Sequence, residues 1–178
     1  MPSYSLTVEI DRKWVKKFNE EPGWALCLAC GVGGSGKESF NIIANTSKIA
    51  DSVEFSWQDE YAISGTFQEF SGFAKVKAVT TPEPIEFGQS CTLKKNFIPQ
   101  PAVSDELAPQ NGFRFVQETE ASCILYRKVE GKLRPIFITP ETNTMVSQTV
   151  EYDINGIWGY KDDNSRLYIG DGKERALE

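Results

Sequence analysis

The 178-residue sequence contains no histidine. That absence excludes Ser-His-Asp and Cys-His catalysis, histidine-bearing zinc or iron sites, and a histidine pH switch. An enzyme built on this chain has to work with carboxylates, tyrosine, cysteine, lysine or arginine. Long apolar runs are missing as well. The longest, Trp24–Val32, falls far short of the ~20 residues of a membrane-spanning helix, so no such segment is expected. Met1–Ile10 lacks a basic start and a continuous apolar stretch, so no secretory signal is expected. A cytoplasmic location is the default, with secretion of a processed form left open. The closing Ala176-Leu177-Glu178 reads as a cloning remnant. A basic surplus is lacking too. The net charge is −6, whereas nucleic-acid binding draws on basic stripes that release counterions from phosphates. The densest basic cluster, Arg12–Lys17, is answered by Glu20 and Glu21 and reads as a solvated strand end or short helix face, so nucleic acid is not an expected partner. Helical periodicity is nearly absent, with candidates only at Asp11–Phe18 and in the Ser104–Leu107 turn.

Strand signals fill the space that helices leave. Tyr4–Ile10 alternates apolar and polar residues, as do Val53–Trp57 and Phe113–Val116. Phe73–Thr80, Ile85–Leu93, Ser122–Val129, Leu133–Ile138, Thr149–Trp158 and Arg166–Ile169 extend the series. About eleven short strands at this spacing predict an all-β fold, an antiparallel sandwich or flattened barrel with little helix. Gln58-Asp59-Glu60, Glu130-Gly131-Lys132 and Lys161–Ser165 read as short hairpin loops. The length predicts a single β domain over residues 1–175, large enough to bury a core without staples.

One connector stands apart. Residues 98–111 carry Pro99, Pro101 and Pro109, which fix the backbone and remove donors, so this segment cannot join a sheet interior. It nevertheless holds Ile98, Val103 and Leu107, apolar residues for which a free tether has little use. The expectation is that it folds back over the mouth of the sandwich, covering a pocket or a sheet edge; the plainer alternative is a mobile tether.

Three motifs give way to simpler readings. Gly31–Glu38 approaches the phosphate-cradling G-x-x-x-x-G-K-[ST] loop, but Glu38 replaces the hydroxyl and Ser39–Ile43 is strand-like, so a hairpin loop is the better account. Cys27-Leu28-Ala29-Cys30 has knuckle spacing, yet on a strand residues three apart point to opposite faces. With Cys91 and Cys123, these cysteines are expected as buried thiols, and a disulfide pair among the four is the alternative. Val79–Glu83 and Phe137–Glu141 share a Thr-Pro-Glu echo, which strand punctuation alone produces.

The candidate site residues come from aromatics next to acidic turns, drawn from four Trp, six Tyr and eleven Phe. Trp158 and Tyr160 beside Asp162 form one cluster, and Trp57 with Asp59 and Tyr61 the other. Such rings stack on sugar faces or line apolar pockets while keeping a polar edge wet. The adjacent pairs Asp59-Glu60 and Asp162-Asp163 otherwise read as solvated turns. Neither a cofactor nor a metal is implied.

The run Val53–Tyr61 contains Phe55, Trp57 and Tyr61 in an F-x-W-x-x-x-Y pattern, and Thr139-Pro140 precedes Tyr152. Together with the strands at Phe73–Val79 and Ile85–Leu93, this resembles the RhiA-like small β proteins. The resemblance implies a β-rich fold and brings no established chemistry with it.

These features lead to an expected ligand-binding or interaction module that presents loop-borne aromatics on a β scaffold. Its ligand is a small molecule or glycan, with a lectin-like glycan, a lipid headgroup and a small apolar metabolite all open. The alternative is a metal-independent isomerase, cyclase or lyase in a sheet-lined cavity, with a tyrosine or carboxylate as proton donor. A homo-oligomer stays open.

Overall fold

The structure, a computed structural model, describes residues 2–20, 25–34, 37–39, 42–67, 78, 80–138, 148–153 and 165–170. It begins with β1 (Ser3–Glu9), α1 (Arg12–Glu20), β2 (Ala25–Cys30), β3 (Val32–Gly34), β4 (Lys37–Ser39) and β5 (Ile43–Ser47). Next come β6 (Ser52–Thr66), β7 (Glu83–Ile85), β8 (Gln89–Leu93), β9 (Val103–Ser104) and β10 (Gly112–Gln117). The series ends with β11 (Ser122–Val129), β12 (Lys132–Ile138), β13 (Gln148–Asp153) and β14 (Ser165–Gly170). The fold is all-β, as its alternating runs predict, with one nine-residue helix among the described residues. That helix has Asp11 at its start, whose carboxylate accepts from the Lys13 amide at 3.0 Å, a cap worth about 1 kcal/mol. Among the described residues no helix is long and apolar enough to cross a membrane.

The strands form three sheets: β1-β6-β11-β12 with β7 also on β6, then β4-β3-β13-β10-β8-β9, and β14-β2-β5. Each order is open, so no barrel closes among the described strands. One buried cluster draws on Leu6, Leu28, Phe55, Ile63, Phe113 and Leu125, so all three sheets share a core. The far face of β6 and β11 is covered too. There Ala62, Ile124 and Tyr126 meet Ile42 and Ile138, and the Ser64 and Tyr126 hydroxyls share a hydrogen bond of 2.9 Å. All four cysteines are buried and unbridged.

Several expectations change. Val32–Gly34, Lys37–Ser39, Glu83–Ile85 and Val103–Ser104 are strands of two or three residues, too short for alternation to reveal, and they raise the described strands to fourteen. Ile85–Leu93 is two strands in different sheets, because Gly88 takes φ 76° in the turn between them. Alongside the antiparallel ladders, β8 and β10 pair in parallel, since the chain from Lys94 to Asn111 carries it back to start β10 beside the start of β8. Gln58-Asp59-Glu60 is not a hairpin loop. β6 runs through it: Arg127 faces Tyr61 while Lys128 faces Gln58, leaving Asp59 and Glu60 as a two-residue bulge. An even insertion preserves the pleat, so Phe55, Trp57, Tyr61 and Ile63 all stay on the core side. Glu130-Gly131, in contrast, is a two-residue hairpin with φ 51° and 73°, matching its sequence reading.

The connector follows its expectation in backbone and departs from it in side chains. The Gln100 amide bonds the Thr92 carbonyl at 2.8 Å, and Val103–Ser104 pairs antiparallel with β8, so the segment covers a sheet edge. Ile98, Val103 and Leu107, expected to be tucked under, are 56%, 60% and 68% exposed. Main-chain pairing holds the connector, these three side chains stay exposed, and only the small Ala102 packs against the core. Within the expected strand Phe73–Thr80 only Ala78 and Thr80 are described, and the acidic turn at Asp162 lies outside the described residues.

Candidate functional site

The bulge sits where β6 changes neighbours along one edge. β1 pairs with β6 up to Gln58 and β7 takes over from Tyr61, so Asp59 and Glu60 occupy the gap between two strand ends. Bulges re-aim side chains, and this one turns Asp59 toward three donors. The Tyr4 hydroxyl donates to Oδ2 at 2.8 Å, the Tyr61 hydroxyl to Oδ1 at 3.0 Å, and Arg127 Nη2 to Oδ1 at 2.6 Å. Arg127 comes from the facing strand β11, with a side chain only 4% exposed, and its Nε also donates to the Gln58 carbonyl at 3.3 Å. The guanidinium lies 5.8 Å from the Tyr4 ring centre and 5.4 Å from that of Tyr61. Four side chains thus form a closed polar unit in which a buried cation is matched by a carboxylate and flanked by aromatic rings. Beside it, Lys128 Nζ bonds Glu60 at 2.9 Å.

Tyr61 links this unit to an apolar group. Its ring centre is 5.2 Å from Phe87 and 5.0 Å from Phe113, and those two are 5.3 Å apart. Burial pushes the Tyr61 hydroxyl well above its ordinary pKa; Arg127 opposes the shift and Asp59 adds to it. Tyr61 is therefore a fixed donor at any physiological pH.

Above these residues opens a cleft of about 670 Å³. Tyr61 and the buried Ile85 line it together with the bulge residues Asp59 and Glu60. The β7 strand and following turn add Glu83, Glu86 and the 41% exposed Phe87. Pro101 and Ala102 of the connector complete the lining, so the segment that covers the β8 edge also forms part of the cleft. Next to Glu83 the Cys91 thiol is pushed up to about 12, first by burial and then by that carboxylate. No three Cys, Asp or Glu side chains converge as metal ligands among the described residues.

Of the expected site residues, the structure brings Asp59 and Tyr61 together in the cleft lining. Trp57 is placed behind the site. On the core-facing parity of β6 it is 3% exposed, stacks on Tyr4 at 6.2 Å, and is no part of the cleft lining. Its indole N–H has no partner among the described residues. Trp158, Tyr160 and Asp162 lie outside the described residues. Sequence reasoning missed Tyr4, Phe87 and Arg127. Arg127 carried a readable signal, a cation at an interior position of an apolar strand run, which is rarely buried without a counter-charge. Protein-family models, curated proteins and solved structures were all compared with this chain, and none matches it.

Proposed function

We propose that this chain is a ligand-binding module and that the cleft between the β6 bulge, β7 and the connector is where a small organic ligand binds. The observation that carries this reading is the pairing of an open cleft of ligand size with a rigid, fully bonded base. Phe87 and Tyr61 supply ring surface, backed by the buried Phe113, and the Asp59–Arg127 unit fixes the Tyr61 geometry before a ligand arrives.

The same geometry favours binding over catalysis. Asp59 accepts from three donors and Tyr61 commits its proton to Asp59, so both are engaged within the protein and neither is left free to exchange a proton with a ligand. Of the ligand classes left open by the sequence, a small aromatic or apolar metabolite fits the ring-bearing lining better than an extended glycan.

A screen of soluble metabolites and glycans by protein-observed NMR tests this. Hits are expected to shift the amides of residues 59–61, 83, 85–87 and 102, and Phe87→Ala is expected to weaken them about tenfold. Hits that map elsewhere, or a screen with none, overturn the reading.

A further inference from the structure

We propose that the ligand of this cleft is a small organic cation, an ammonium or guanidinium group carried on an apolar body; this rests on the reading of the cleft as a binding site. Every charged side chain known to line it is a carboxylate: Asp59, Glu60, Glu83 and Glu86. They are not equivalent. Asp59 is neutralised from beneath by Arg127 at 2.6 Å, and Glu60 from the side by Lys128 at 2.9 Å. Neither cation lines the cleft. Glu83 and Glu86 have no cationic partner among the described residues; Glu83 opens β7 and Glu86 follows its last residue, directly before Phe87. Two uncompensated negative charges therefore stand beside a partly exposed aromatic ring that packs on Tyr61.

A concave site of one sign on low-dielectric walls concentrates ions of the opposite sign. The Cys91 thiol already registers that field, since Glu83 disfavours its ionised form. An organic cation gains from both parts of the lining: its charge faces the carboxylates and its body or cationic face lies against the ring. An anion meets only repulsion, and a neutral ligand uses the ring and leaves the carboxylates unanswered. The volume suits a single ring or short chain with one charged group, not a polymer.

The test uses three probes that share one ring: 2-phenylethylammonium, 2-phenylethanol and phenylacetate, each titrated into the whole chain at low ionic strength and followed by the amides of Glu86, Phe87 and Ala102. The ammonium is expected to bind at least tenfold tighter than the alcohol, with phenylacetate inert, and added salt should weaken only the ammonium. The Glu83→Gln/Glu86→Gln chain, altered at two side chains that make no ion pair among the described residues, is expected to keep its spectrum and lose the preference. If the alcohol or phenylacetate binds as well as the ammonium, the cation assignment is overturned and the cleft stands as a ligand site. If the double variant keeps the preference, the charge assignment to these carboxylates is overturned. If no probe shifts the three amides, the cation assignment falls, and the metabolite screen alone decides whether the cleft binds anything.

Discussion

Asp59 is the residue on which the site geometry converges. Its carboxylate receives two phenols and a guanidinium, and the guanidinium sits in a side chain 4% exposed. Removing one partner of a buried pair is costlier than never having had the pair, because the surviving charge stays desolvated. Asp59→Ala is thus expected to destabilise the fold by about 3–5 kcal/mol, read as a lower urea midpoint. Adding Arg127→Met should recover part of that loss, since the stranded charge is then gone. A single variant within about 1 kcal/mol of the parent would show that the pair does not hold the site together. At this scale the sequence was legible in part. The acidic and aromatic residues at 59 and 61 stood out because they share a short polar–aromatic stretch. Tyr4 and Arg127 did not, because their approach to Asp59 spans 55 and 68 positions of chain and follows from strand pairing, which residue types do not encode.

The elements show why strands were legible and their punctuation was not. Ser122–Val129 has the bounds its apolar run predicts, and Val53–Trp57 alternates as buried and less buried residues in the order its sequence suggests. A two-residue bulge and a hairpin loop, in contrast, look alike in sequence: both place polar residues between two strand-like runs. Only the partner strand distinguishes them, and here β11 crosses the interruption without a break. The connector poses the same problem from the other side, because its prolines concealed a two-residue edge strand. Its anchor is Asp105, whose carboxylate accepts from the Leu107 amide at 2.9 Å and from Arg114 at 2.9 Å. Those bonds, the Leu107 amide first, hold the Asp105 carboxyl below its ordinary pKa. A lowered folded-state pKa means that the stabilisation is present above the unfolded value near 3.9 and drains away as pH falls below it. A carboxyl-carbon NMR titration of Asp105 should therefore show a midpoint below that of an ordinary aspartate. Arg114→Ala should move it upward, and connector amides should lose protection as the group protonates. A midpoint at the ordinary value in the parent chain would remove Asp105 as the anchor.

Across the whole molecule, the open sheets leave edges, and an unpaired edge is a template for another chain. The β8 edge is occupied by the connector through the Gln100–Thr92 bond, the Asp105–Gly88 bond and the β9 pairing, while the same segment contributes Pro101 and Ala102 to the cleft. One stretch of chain thus does two jobs, closing a sheet and shaping a binding surface. Neither uses Ile98, Val103 or Leu107, which remain outside. This arrangement separates two consequences of removing it. The shared core lies under β6, β10 and β11, away from the exposed Ile98, Val103 and Leu107, so replacing residues 99–109 with a Gly/Ser segment of equal length should leave the strand signal in far-UV circular dichroism unchanged. The uncovered β8 edge should then pair with a second copy, shifting light-scattering mass above that of the parent chain at equal concentration. Cleft ligands should weaken in the same variant, because part of the lining is gone. If the replaced chain keeps both the parent's mass and its ligand affinity, the connector is a tether that happens to lie along the edge; if it loses the strand signal, β9 belongs to the folding core and not to its cover.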